Sequence, residues 1–240
     1  MENVFDEAPE VFFEFEREAY ETLREYCENG SYERAVSLLE RAVAEKDTET
    51  VDIMQRLYVL GICYLYGIEV EENEKTALLW LERAAELGYA KAQFELGDCY
   101  YLGFGVEEDL DKAVYWYTRS AENGFGAAQY KLAVLFKLGQ GVEESPEKAF
   151  CWFEKAAEQG DLDAQIEVGV CYEKGIGVEK NRIKAIAWLE RAAAQDDKYA
   201  EEICSCLKNG SVLDVEIIKL KRELDIFARN LEDFEERMEI

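Results

Sequence analysis

Four tryptophans stand 36 residues apart, at Trp80, Trp116, Trp152 and Trp188. Ala77, Ala113, Ala149 and Ala185 keep the same step. So do Ala85, Ala121, Ala157 and Ala193, and the ring column Tyr64, Tyr100, Phe136 and Tyr172. A fixed period of this length means a chain of stacked supersecondary units. One unit cannot bury its apolar face alone, and its neighbours complete the core.

Other columns mark where each unit's helices begin and end. Asn73, Asp109, Ser145 and Asn181 share a column of N-cap residues, whose side-chain oxygens accept from free first-turn N–H groups. Pro146 follows Ser145 at the first helical position, where a missing N–H costs nothing. Gly67, Gly103, Gly139 and Gly175 fall where a first helix should stop, and Gly88, Gly124 and Gly160 where a second should, with Asp196 in the last copy. Apolar residues recur at spacings of 3 and 4 within each helix. Gly61, Gly97 and Gly169, with Ala133 in their column, predict close approach of a neighbouring helix.

These residues, AQFELGDCYYLGFGVEEDLDKAVYWYTRSAENG and its copies, resemble the Sel-one-like repeat family, a branch of the tetratricopeptide-type solenoids. The resemblance covers roughly residues 56–208. It implies an adaptor or assembly scaffold, with the first helix of each pair lining the concave face. The expected fold is all-α, a right-handed α-solenoid of antiparallel helix pairs in 36-residue repeats with a long C-terminal helix. Its expected segments are an acidic, aromatic stretch 1–18, a degenerate tetratricopeptide-like repeat 19–46, repeats at 50–88, 90–124, 126–160 and 162–196, a partial capping helix 197–210, and an amphipathic helix 212–239.

Composition excludes most chemistry. The 240 residues contain no histidine, which removes the usual general base and the commonest metal ligand. No phosphate-binding or dinucleotide fingerprint occurs, and the recurring GxGV is a loop glycine pair beside acids that would repel phosphate. Cys204 and Cys206 lack two further ligands nearby. The second cysteine position of the cysteine-rich relatives is not filled, so their disulfide framework and the β-lactam binding associated with them do not carry over. No catalytic residue, cofactor or metal is expected, and the chain is read as a non-enzyme. The net charge of −26 opposes direct nucleic-acid and anionic lipid binding and would attract a basic protein partner. No apolar run is long enough to span a membrane. The acidic start lacks a secretory pattern, and seven cysteines without close pairing point to a reducing, cytoplasmic setting.

Function must then sit on positions the stacking leaves over. On the resembled scaffold, Tyr58, Phe94, Tyr130 and Ile166 form a concave column, flanked by Ile62, Asp98 and Val134 and by Tyr101. An apolar groove of this kind suits a peptide or helix of a partner, although neighbouring helices could instead cover the rings as ordinary core. The loop columns Glu71, Glu107, Glu143, Glu179 and Glu72, Glu108, Glu144 predict an acidic ridge that could steer a basic partner. The alternative function is an immunity-type or inhibitor protein masking a basic toxin, nuclease or nucleic-acid-binding protein, with a DNA-mimicking decoy as a related reading. Leu213, Ile217, Leu220, Leu224, Phe227, Leu231, Phe234 and Met238 form a heptad seam. Three arrangements of that seam stay open: along the solenoid, against a second copy in a homodimer, or in the groove.

Overall fold

A computed structural model describes residues 50–68 and 70–209. The segments expected at 1–18 and 19–46, and the heptad seam from Leu213 to Phe234, lie outside the described residues. Nine helices and no strand occur among the described residues. They are α1 (Thr50–Tyr66), α2 (Glu74–Glu86), α3 (Ala90–Leu102), α4 (Leu110–Glu122), α5 (Gly126–Leu138), α6 (Pro146–Glu158), α7 (Leu162–Lys174), α8 (Arg182–Ala193) and α9 (Lys198–Lys208). From α2 to α8 the odd and even helices alternate with the sequence period, giving an all-α repeat architecture. The chain divides into two compact units, Met1–Ala128 and Gln129–Ile240.

In the first unit α1 packs on α2, α2 on α3, and α3 on α4. Its core gathers Leu57, Leu60, Cys63, Leu81, Ala85 and Leu96. In the second unit α6 packs on α7, α7 on α8, and α8 on α9. Ala133, Phe153, Val168, Leu189, Ile203 and Leu207 belong to its core. At the end of that unit the Arg182 guanidinium donates to the Leu207 carbonyl, and Lys208 pairs with Glu190 at 2.7 Å.

Local chemistry explains the boundaries. Asn73, Asp109, Ser145 and Asn181 each accept from the N–H three residues on, at 3.0, 3.0, 3.4 and 3.0 Å. The backbone N–H of each cap donates to a carbonyl of the preceding helix, at Tyr64, Tyr100, Phe136 or Tyr172. The loop is thereby tied at both ends. Where α8 ends, Asp196 takes the left-handed conformation at φ 62° that Gly88, Gly124 and Gly160 hold in the earlier copies. Asp tolerates that region at a cost Gly does not incur.

The glycines inside the odd helices are packing devices. A Cβ on Gly61 would lie 2.7 Å from Leu81, one on Gly97 2.7 Å from the Tyr117 ring, and one on Gly169 2.8 Å from Leu189. Each contact joins the two helices of one pair. Gln93 and Gln165 add a polar staple: each donates to a carbonyl of the preceding helix, at Ala85 and Ala157, and accepts from the following one, through Asn123 and Gln195.

Candidate functional site: the acidic loop edge

The loops between paired helices carry the recurring glutamates Glu71, Glu107, Glu143 and Glu179. Gly105 seats on the first turn of α2, where an added Cβ would meet Glu74 at 2.7 Å. Glu71 and Glu72 immediately precede that turn, so Glu107 and Glu108 of the next loop come to the same edge of the first unit. Gly177 makes the equivalent contact with Pro146 in the second unit, bringing Glu179 toward Glu143 and Glu144. All seven carboxylates are exposed.

The two edges differ in net charge. Residues 71–75 hold three acids and Lys75, and 107–112 hold four acids and Lys112. Residues 143–148 hold three acids and Lys148, but 179–184 hold Glu179 against Lys180, Arg182 and Lys184. The first unit's edge is strongly acidic, and the second's is balanced. A ridge of uniform sign, as the glutamate columns suggest, ignores the cations that interleave it.

Many cations are held against the chain's own rings. Lys112, Lys148 and Lys184 lie over Tyr100, Phe136 and Tyr172 at 4.9, 5.1 and 5.0 Å. Arg83, Arg119, Lys155 and Arg191 lie over the four period-36 tryptophans at 5.2, 5.8, 3.7 and 4.5 Å. These i, i+3 pairs cover half-buried indoles and place a cation at the helix C-terminus, where the dipole favours it. The period-36 columns hold both partners of each pair, so spacing alone could have revealed them.

The concave column is largely core. Tyr58 is 0% exposed, with its ring 5.2 Å from Tyr89. Phe94 is 9% exposed, 5.7 Å from Tyr117 and 5.3 Å from Phe125. Ile62 and Ile166 are buried as well. The expectation of an open groove therefore fails at Tyr58, Ile62, Phe94 and Ile166, which are buried, with Tyr89 packed on Tyr58 and Tyr117 and Phe125 packed on Phe94. Asp98 and Tyr101 in the first unit, and Tyr130 and Val134 in the second, are half-buried. The Tyr130 ring lies 5.6 Å from Phe153.

Sequence reasoning missed two features. One is Glu95, 3% exposed on α3 with its Oε1 unpartnered. Burial, reinforced by Asp98, pushes its carboxyl up to about 8. The Tyr117 hydroxyl donates to Asp98 Oδ1, and burial pushes the Cys99 thiol up to about 12. A charged residue inside the AQxxLG motif, between core positions, was the available signal. The other is apolar exposure on the loop edge. Leu102 is 57% and Phe104 49% exposed.

Against known families, the Sel1 repeat matches residues 57–89, 90–125, 126–161 and 162–197. The chain belongs to the Sel1 repeat family. A Sel1 repeat protein from Oxalobacter formigenes is similar in structure, with TM-score 0.68 and 31% identity over 80% of this chain and 58% of that one. So is c5321, a protective antigen present in uropathogenic Escherichia coli strains and displaying an SLR fold, with TM-score 0.71 and 26% identity over 85% of this chain and 44% of that one. The chain thus spans about half the length of these relatives. A search of the curated proteins finds no match. The Sel1 repeats here form an all-α solenoid of paired helices. Proteins of this family generally mediate protein–protein interactions and are typically noncatalytic scaffolds. No helix among the described residues is long and apolar enough to cross a membrane.

Proposed function

We propose that this Sel1 repeat chain is a noncatalytic scaffold that takes a basic segment of a partner protein. One observation carries the reading: the first unit's loop edge holds exposed Glu71, Glu72, Glu107 and Glu108, with seven acids against two lysines in residues 71–75 and 107–112. The negative field of the first unit's edge speeds encounter with a cationic surface and repels nucleic acid and acidic proteins. Masking a basic toxin or nuclease, as an immunity-type inhibitor does, is one use of the same chemistry. The test is binding of a labelled oligolysine peptide, followed by anisotropy as salt rises, to wild type and to a variant with Glu71, Glu72, Glu107 and Glu108 changed to Gln. Expected are a steep loss with salt and weaker binding by the variant at low salt. Equal binding by the two proteins at every salt would sink the proposal.

A second reading keeps the concave side for an apolar peptide. It is supported by the half-buried Tyr130 and Val134. Tyr130→Ala with unchanged melting and a lost partner is its expected signature, whereas a lower melting point with the partner retained assigns the ring to the core.

A further inference from the structure

We propose that the first unit's loop edge is an amphipathic docking site, at which Leu102 and Phe104 anchor apolar side chains of a partner segment while the surrounding glutamates take its flanking Lys or Arg residues. This deepens the basic-partner reading and rests on it.

The loop after α3 brings the two kinds of group together. Leu102 ends the helix, Gly103 turns the chain at φ 75°, and Phe104 follows. Both apolar side chains are about half exposed although the helix to which the loop belongs is otherwise well buried. Three and four residues beyond Phe104 come Glu107 and Glu108, both exposed. The contact of Gly105 with the first turn of α2 adds Glu71 and Glu72 to the same edge. Water solvates carboxylates at no cost, so charge alone explains the acids. It does not explain a phenylalanine and a leucine about half exposed in the same loop.

Charge complementarity selects the occupant. An acidic segment would meet carboxylates of like charge, and a neutral apolar one would leave them desolvated without partners. A segment with two apolar residues flanked by Lys or Arg satisfies both halves. A second copy of this chain does not, since its net charge of −26 opposes the approach. The second unit's edge also exposes Leu138 and Ile176, but Lys180, Arg182 and Lys184 offset its acids. It is therefore an internal control.

The probes are three labelled peptides: one amphipathic, of Leu and Lys with Leu at helical spacing; one with every Leu replaced by Ser; one with every Lys replaced by Glu. Anisotropy against the full chain should rank the first above the second and show nothing for the third. Leu102→Ser with Phe104→Ser should weaken the first peptide roughly tenfold, as loss of a central apolar anchor does, and leave the second unchanged. Leu138→Ser with Ile176→Ser should change neither. Phe104→Ala alone serves if the double variant melts early, with a smaller loss in the same direction. Equal affinity for the first two peptides, or equal loss in both double variants, overturns the anchor site while the charge-only reading stands. If neither cationic peptide binds at low salt, the basic-partner reading itself falls.

Discussion

Glu95 holds a proton at neutral pH, because burial on α3 and the nearby Asp98 push its carboxyl up to about 8 from an ordinary 4.5. The folded chain thus keeps a proton that the unfolded chain releases. Stability contributed by this group is greatest below the unfolded value and falls as pH rises from about 4.5 through about 8. Glu95→Gln should remove that slope, stabilising the chain by a few kcal/mol near pH 8 and little near pH 5, on the order set by the shift. Urea unfolding at both pH values checks this, and an unchanged difference between variant and wild type at the two would refute it. Gly97 makes a second residue-scale test. An alanine there gains about 1 kcal/mol of helix propensity but thrusts a methyl 2.7 Å from a Tyr117 ring pinned through its hydroxyl to Asp98. Overpacking of this kind costs typically 1–3 kcal/mol. Gly97→Ala should therefore lower the melting temperature, and a thermal melt equal to wild type would refute the close packing at this position.

At the scale of the element, each helix pair is held by local caps and by one buried amide. Asn181→Ala removes the acceptor for the Lys184 N–H and should cost about 1 kcal/mol. Gln165→Ala should cost more, about 1–3 kcal/mol, because it removes two hydrogen bonds at once, one to the Ala157 carbonyl, which keeps the Gly160 N–H, and one from the Gln195 amide. Chemical denaturation of the two variants gives the order. A larger effect for Asn181→Ala would show that the staple is replaced by water. The caps were legible in the sequence because an N-cap bond reaches only three residues along the chain. The staple was not: Gln93 and Gln165 stand in a visible column, but their partners come from two other helices.

For the whole molecule the governing quantity is charge, 53 acidic residues against 27 basic. Like charges packed on one body repel, and salt screens them over about 10 Å at 0.1 M. The melting temperature should therefore rise as sodium chloride is increased from low to moderate concentration, while binding of a basic partner weakens over the same range. Scanning calorimetry beside the anisotropy titration reads both. A melting temperature that falls with salt would mean that internal ion pairs, such as Lys137 with Glu167 at 3.1 Å, outweigh the repulsion.

The period, the caps, the left-handed glycine slots and the absence of histidine chemistry followed from sequence alone, since each depends on residue type and short-range geometry. Asp196 breaks the glycine column in the sequence, and it takes the same left-handed slot at φ 62°. What the tertiary structure decided was cover. Tyr58 and Tyr130 share one column, yet the first is wholly buried and the second half open. Leu102 and Phe104 look like ordinary apolar positions in the string but stand in water. A repeat pattern gives every side chain the same address in its own unit. Whether that address is buried depends on side chains from other helices, 20 or more residues away along the chain, and those differ from copy to copy.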